Sequence, residues 1–184
     1  TCEERQIEKE QIIVPTGGVC KESLSYTGKG VTVAILDTGL YPHPDFKDRI
    51  LSFRDFSSTT GSSEKVLFSF SHFSPLIDNS GHGTHVAGIL AGSGLLSSGT
   101  YAGIAPFCNL IIGKVLDQNG NGSIKNVING IQWIRDIYTQ FHIRIINISV
   151  GTRPDLSIHQ KLLLLNAVES LWDLGLVVVV SAGN

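Results

Sequence analysis

Long apolar runs, methionine and any excess of charge are what this chain has least of. No stretch approaches the roughly 18–20 consecutive apolar residues needed to cross a bilayer, and the first 30 residues are too polar to read as a signal peptide. A membrane partner is not expected. The 14 basic and 16 acidic residues leave a formal net charge of -2 and gather in no stripe, so nucleic acid is not an expected partner either. Cysteine occurs three times, at Cys2, Cys20 and Cys108, without metal-ligand spacing. An odd number speaks against a complete disulfide framework, so these are read as unpaired or buried thiols that leave the redox compartment open.

What is there is a chain of 184 residues with 42% apolar content, enough for one domain with a sizeable core. Residues 1–23 are polar and charged, and read as an N-terminal arm or a propeptide remnant. "YTGKG" then gives a turn signal before "VTVAIL" (31–36), a short β-branched run that predicts a buried strand ending at Asp37. Between Tyr41 and Asn79 no period is sustained, and "SSTTGSSEKVLFSFSHFSP" reads as a long irregular insertion.

"GHGTHVAGILAG" (81–92) predicts a helix of small residues starting near His82, and "CNLIIGKVL" (108–116) a strand. Ile124, Val127, Ile128, Ile131, Ile134 and Ile137 recur at three- and four-residue steps behind Ser123, which predicts a capped helix with one apolar face. "RIINIS" (144–149) reads as a strand, "SIHQKLLLLNAVESLWDLG" (157–175) as a helix with a glycine C-cap, and "LVVVVS" (176–181) as a strand buried on both faces. Alternating strands and helices, with strands that are near-continuous apolar runs, predict an α/β fold. Its expected form is three layers, a mostly parallel sheet with helices on both faces.

In such sheets ligands bind beyond the carboxyl ends of the strands, where Asp37, Ser149 and Asn184 fall. An Asp at a strand end can merely cap a turn, but Asp37 lies between apolar residues and a tight Thr-Gly turn beside whatever it orients. His82 and His85 are three residues apart, so a metal site is one alternative, with a third ligand to be found far away. General base is the better use of His82. The positive end of its helix dipole opposes the imidazolium while a partner Asp37 favours it, and His85, one turn inside, reads as structural.

"VAILDTGLYPHPDF", "NSGHGTHVAGILAG", "YAGIAP", "NISVG" and "VVVVSAGN" occur in the order and near the spacing found in the subtilisin-like serine proteases. Over residues 24–184 the chain resembles that family, and within it the bacterial branch that reads "YTGKG" before the Asp strand. The resemblance implies a serine-type endopeptidase with Asp37 orienting the histidine, His82 as general base and then acid, and Asn184 as oxyanion donor. It further implies that Ser149, Val150 and Gly151 line a cleft that pairs with an extended polypeptide substrate, with Gly120 and Gly122 in the opposing wall. For "NGNGS" a plain turn before a helix serves equally well. A propeptide or inhibitor is a further partner for that cleft.

The family's nucleophile is a serine in a Gly-Thr-Ser helix start beyond the asparagine. Here Gly83-Thr84 precedes His, Gly99-Thr100 precedes Tyr and Gly151-Thr152 precedes Arg. The expectation is a partial peptidase domain over 24–184, inactive by itself. No cofactor is expected: Asp45 in "HPDF" falls where relatives place a calcium carboxylate, but "GSGLLSSGTYAG" lacks the ligand run that completes such a site, so Asp45 reads as a turn residue. Two rivals stand beside the protease. One is a non-catalytic peptide binder, the other a metal-dependent hydrolase using Asp37, Asp45, His82 and His85.

Overall fold

A computed structural model describes residues 26–57, 78–151 and 156–182. Two glycines in the left-handed region, Gly28 at φ 73° and Gly30 at φ 82°, shape the "YTGKG" turn, which Val31 closes by donating to the Gly28 carbonyl at 3.0 Å. The chain then enters β1 (Thr32–Asp37), buried along its whole length. β2 (Ile50–Asp55), β3 (Asn109–Lys114), β4 (Ile143–Ile148) and β5 (Val177–Val180) complete a sheet of order β2-β3-β1-β4-β5 in which every pairing is parallel.

Side-chain alternation on the central strand divides the core in two. Ala34 and Leu36 join Ile111, Ile146 and the inner residues of α2 (Ile124–Ile137) and α3 (Ile158–Trp172). Val33 and Ile35 face the other way, against Ala87 and Ala91 of α1 (His82–Ala91) and against Leu40, Phe46 and Phe53. Small residues on α1 let that helix lie close to the sheet. The result is the expected α/β sandwich of three layers, with its sheet wholly parallel.

The predicted N-cap of α2 is present, α3 carries an N-cap that was not predicted, and the C-cap of α3 is Asp173 rather than the predicted glycine. Ser123 accepts the Asn126 amide at 3.1 Å, and Ser157 and Gln160 form a reciprocal capping box. Gly175, at φ 78°, reverses the chain after α3.

Two further expectations are corrected. The stretch read as irregular between Tyr41 and Asn79 contains β2, an edge strand on β3. Its register shifts between Ile50 and Ser52, and that irregularity interrupts the two-residue alternation by which a strand is recognised. The rest of that stretch, residues 58–77, lies outside the described residues, as does the arm at 1–23. Nor is the valine run buried on both faces: Val177 is 58% exposed and Val180 57%, while Val178 alone packs against the α2–α3 core. Among the described residues β5 pairs with β4 alone and is an edge strand.

Candidate active site

Asp37 ends the central strand, fully buried, and its Oδ1 lies 2.7 Å from Nδ1 of His82, the first residue of α1. The imidazole is 54% exposed. A carboxylate only accepts hydrogen bonds, so this contact fixes the imidazole proton on Nδ1 and leaves the Nε2 lone pair available on the exposed ring. Oδ1 also accepts the Thr38 amide at 2.6 Å, which holds the carboxyl plane. Along the sheet, β1 leads out toward β2 and β4 toward β5 on the opposite side, so the chain diverges between the carboxyl ends of β1 and β4. Open α/β sheets bind ligands at that position.

The turn after β1 and the start of α1 are laced together by side chains. Thr38 Oγ1 accepts the Gly83 amide at 2.9 Å and donates to Asp78 Oδ1 at 2.8 Å. Asp78 Oδ1 also accepts the Gly81 amide at 2.9 Å, and its Oδ2 accepts the Thr84 amide at 2.9 Å and the Thr84 hydroxyl at 2.5 Å. Thr84 Oγ1 in turn accepts the Tyr41 amide at 2.8 Å. Partial burial pushes the Asp78 carboxyl upward, but the hydrogen bonds from Thr84, Gly81 and Thr38 outweigh it and hold the group below the usual carboxylate range. Gly83 allows this approach, because a Cβ there would stand 2.3 Å from the Gly39 carbonyl oxygen.

On the neighbouring strand Lys114 is in register with Asp37, and register partners in a parallel pair point to the same face. Its buried ammonium donates to the carbonyls of Thr38 and Leu116, the latter at 2.9 Å. The turn that carries Asp37 is thus held from the α1 side by Thr38 and Asp78 and from the β3 side by a buried cation.

The residues assigned to the cleft walls sit beyond the two strands that flank β1. Ser149, Val150 and Gly151 follow β4; Ser149 Oγ accepts from Asn147 Nδ2 at 2.7 Å and the Val150 carbonyl accepts from Ser181 Oγ at 3.3 Å. Gly120 and Gly122 follow β3 in a loop organised by Asp117, whose Oδ1 accepts the amides of Asn119 at 2.8 Å and Asn121 at 2.9 Å. Gly120 has φ 74° with open space around it, whereas a Cβ on Gly122 would stand 2.5 Å from the Val115 carbonyl oxygen. Asn184 lies outside the described residues.

Asp45 does more than make a turn, which corrects the reading of it. Its oxygens accept the amides of Gly94 at 3.1 Å and Leu96 at 3.3 Å, tethering the loop after α1. Arg49 reinforces the tether through the carbonyls of Asp45, Ala91 at 2.7 Å and Cys108 at 2.9 Å. His85 is exposed. Among the described residues no three His, Cys, Asp or Glu side chains gather as a metal-ligand set.

Thr38, Asp78 and Lys114 were not singled out from sequence. The signals existed: a Ser/Asn/Asp cluster immediately before a helix start marks a capping site, and a lysine inside the apolar run "NLIIGKVL" is an anomaly that asks for a buried partner.

The site is thus a buried carboxylate in contact with a helix-opening histidine at the carboxyl edge of a parallel sheet, in an α/β protein. Residues 28–184 match the Subtilase family, Peptidase S8. Serine protease AprX of Bacillus subtilis is 42% identical over 171 residues, which are 90% of this chain and 36% of that protein. The major intracellular serine protease of Bacillus subtilis is 37% identical over 159 residues, 85% of this chain and 44% of that protein. Among solved structures, the CspB protease of Clostridium perfringens superposes with a TM-score of 0.73 at 30% identity, covering 86% of this chain and 36% of that one. Sphericase gives a TM-score of 0.71 at 28% identity, with 94% and 49% covered. The chain belongs to the subtilase family, and spans less than half the length of these relatives.

Proposed function

We propose that this chain supplies the Asp, the His and the oxyanion donor of a serine endopeptidase. The observation that carries the reading is the 2.7 Å contact between fully buried Asp37 and half-exposed His82. In this reading a serine hydroxyl gives its proton to Nε2 of His82 as it attacks the scissile carbonyl, and the Asp37 carboxylate stabilises the imidazolium that forms. The same proton then passes to the leaving amine, and the cycle repeats with water on the acyl-enzyme. Asn184 donates its amide to the oxyanion of the tetrahedral intermediate, an interaction whose removal costs about 10²–10³-fold in turnover in enzymes that use one, the family's own type case among them.

The substrate is an extended polypeptide that runs along Ser149, Val150 and Gly151, with Gly120 and Gly122 in the facing wall. Main-chain pairing in such a cleft gives affinity with little demand on sequence, so the specificity is broad. A propeptide or an inhibitor segment in extended form fits the same cleft. Residues 1–184 contain no Gly-Thr-Ser run, and the nucleophile is assigned outside them.

Two preparations test this, the protein expressed from its complete reading frame and residues 1–184 alone. The first is expected to cleave an unfolded protein, to be labelled on serine by a fluorophosphonate, and to lose on the order of 10⁶-fold in kcat on His82→Ala. The second is expected to do none of these. Labelling and cleavage by residues 1–184 would overturn the assignment of the nucleophile, and a complete protein that binds peptides without cleaving them would establish the binder instead.

A further inference from the structure

We infer that Asp78 is a positioning residue of the Asp37–His82 pair, the junction that fixes the distance between two segments far apart in sequence. This deepens the protease reading and rests on it.

Asp37 and His82 sit on different elements, and the span that joins them is long. Nothing local sets their separation. Among the described residues, the turn after β1 is joined to the first turn of α1 directly by the Gly83 amide on Thr38 and the Tyr41 amide on Thr84, and a second time through the carboxylate of Asp78. Its Oδ1 takes the Thr38 hydroxyl from the Asp37 turn and the Gly81 amide from the helix start, at 2.8 and 2.9 Å. Its Oδ2 takes the amide and hydroxyl of Thr84, one turn into the helix, at 2.9 and 2.5 Å. Thr38 and Thr84 each pass the link on, to the Gly83 amide at 2.9 Å and from the Tyr41 amide at 2.8 Å. One carboxylate therefore holds both sides of the Asp37–His82 contact without touching either residue.

Chemistry favours an acid here over its amide. All the donors that converge on Asp78 can be met at once only by a group with two accepting oxygens. An asparagine would turn an N–H₂ toward the Thr84 amide or toward Gly81, and a backbone donor cannot rotate away. The negative charge also faces the positive end of the α1 dipole, which reduces the dipole's opposition to a charged His82. Thr38 is equally constrained, since its hydroxyl accepts from Gly83 while donating to Asp78; valine keeps its shape and removes both bonds, while serine keeps both.

The test is proton NMR of the protein from the complete reading frame in ¹⁵N-histidine-labelled form, with kinetics on the same protein. A His Nδ1 proton held by a carboxylate resonates at low field and exchanges slowly, and Asp37→Asn identifies it by abolishing it. In Asp78→Asn and in Thr38→Val the signal is expected to broaden or vanish while the far-UV spectrum stays native, with Thr38→Ser restoring it. In the complete protein kcat is expected to fall about 10–100-fold with KM within twofold, as for a displacement of the pair by about 1 Å. The double variant is expected to lose no more than the worse single one. Native signal and native kcat in Asp78→Asn would overturn the inference, as would a loss in Thr38→Val that serine fails to rescue. Absence of the low-field proton in the unmodified complete protein would instead sink the reading of Asp37 and His82 on which it stands.

Discussion

Two alanine substitutions in one helix should have opposite signs. Gly83 and Gly88 both lie in α1, and a helix interior favours alanine over glycine by about 1 kcal/mol. At Gly88 a Cβ meets nothing within 4 Å, so that preference should appear as a gain of about 0.5–1 kcal/mol. At Gly83 the new Cβ would lie 2.3 Å from the Gly39 carbonyl oxygen, 3.1 Å from the Gly39 nitrogen and 3.2 Å from Asp37 Cβ. Every one of these is backbone or the root of the Asp37 side chain, so no flexible group can give way. Reaching ordinary contact requires the helix start and the turn to part by about 1 Å.

That opening acts on the bonds spanning the gap, which are Gly83 to Thr38 at 2.9 Å, Tyr41 to Thr84 at 2.8 Å and His82 to Asp37 at 2.7 Å. Loss of two or three of them at about 1 kcal/mol each, less the helix preference, gives a net loss of about 1–2 kcal/mol. For a chain of this size the melting temperature should fall by about 2–8 °C, while Gly88→Ala should raise it by about 1–4 °C. Differential scanning calorimetry reads both. A Gly83→Ala protein that melts within a degree of the parent and retains kcat would refute the close approach of turn and helix from which the figure was worked.

Four further outcomes follow from other parts of the molecule. Because the folded Asp78 carboxyl lies below its unfolded value, its contribution to stability is complete above the ordinary carboxylate value near ~4 and is lost as pH falls through the lower folded value. Melting temperatures between pH 5 and 2 should therefore fall less steeply in Asp78→Asn than in the parent. Lys114→Ala should cost about 2–4 kcal/mol in urea denaturation, since it leaves the Thr38 and Leu116 carbonyls buried without their donor; a cost below 0.5 kcal/mol by the same titration would contradict that accounting. Ser157→Ala, which breaks the capping box of α3, should cost about 1 kcal/mol and leave the low-field histidine proton unchanged. Burial raises the Cys108 thiol above its usual range, against a partial offset from Arg49, so mass spectrometry should find Cys108 unalkylated by iodoacetamide until the protein unfolds.

The parts of this molecule that were legible in its sequence are those written in local periodicity. α2 shows its face through isoleucines at helical spacing, and β1, β3 and β4 show theirs as short β-branched runs bounded by turn residues. β2 escaped because a register shift breaks its alternation. The valines of β5 report what a strand could bury, whereas what covers them is set by contacts with other segments, and among the described residues only Val178 of the four packs against the α2–α3 core. At the site, Asp37 and His82 stood out because a polar residue at a strand end and one at a helix start are conspicuous against apolar neighbours. Asp78, Thr38 and Lys114 did not, since their work is done through contacts between segments that no spacing along the chain encodes.

The sheet order has a kinetic side. β1 carries Asp37, yet neither neighbour of that strand is adjacent in sequence: one is residues 109–114 and the other residues 143–148. Closing such distant parallel pairs is slow, because the entropy of the intervening chain is spent before the contacts return it. Asp37 is therefore expected to gain a fixed position only after much of the polypeptide has been recruited, and its contact with His82 to form late in folding. The low-field histidine proton should then serve as a clock, appearing with the slowest refolding phase and absent from any collapsed intermediate.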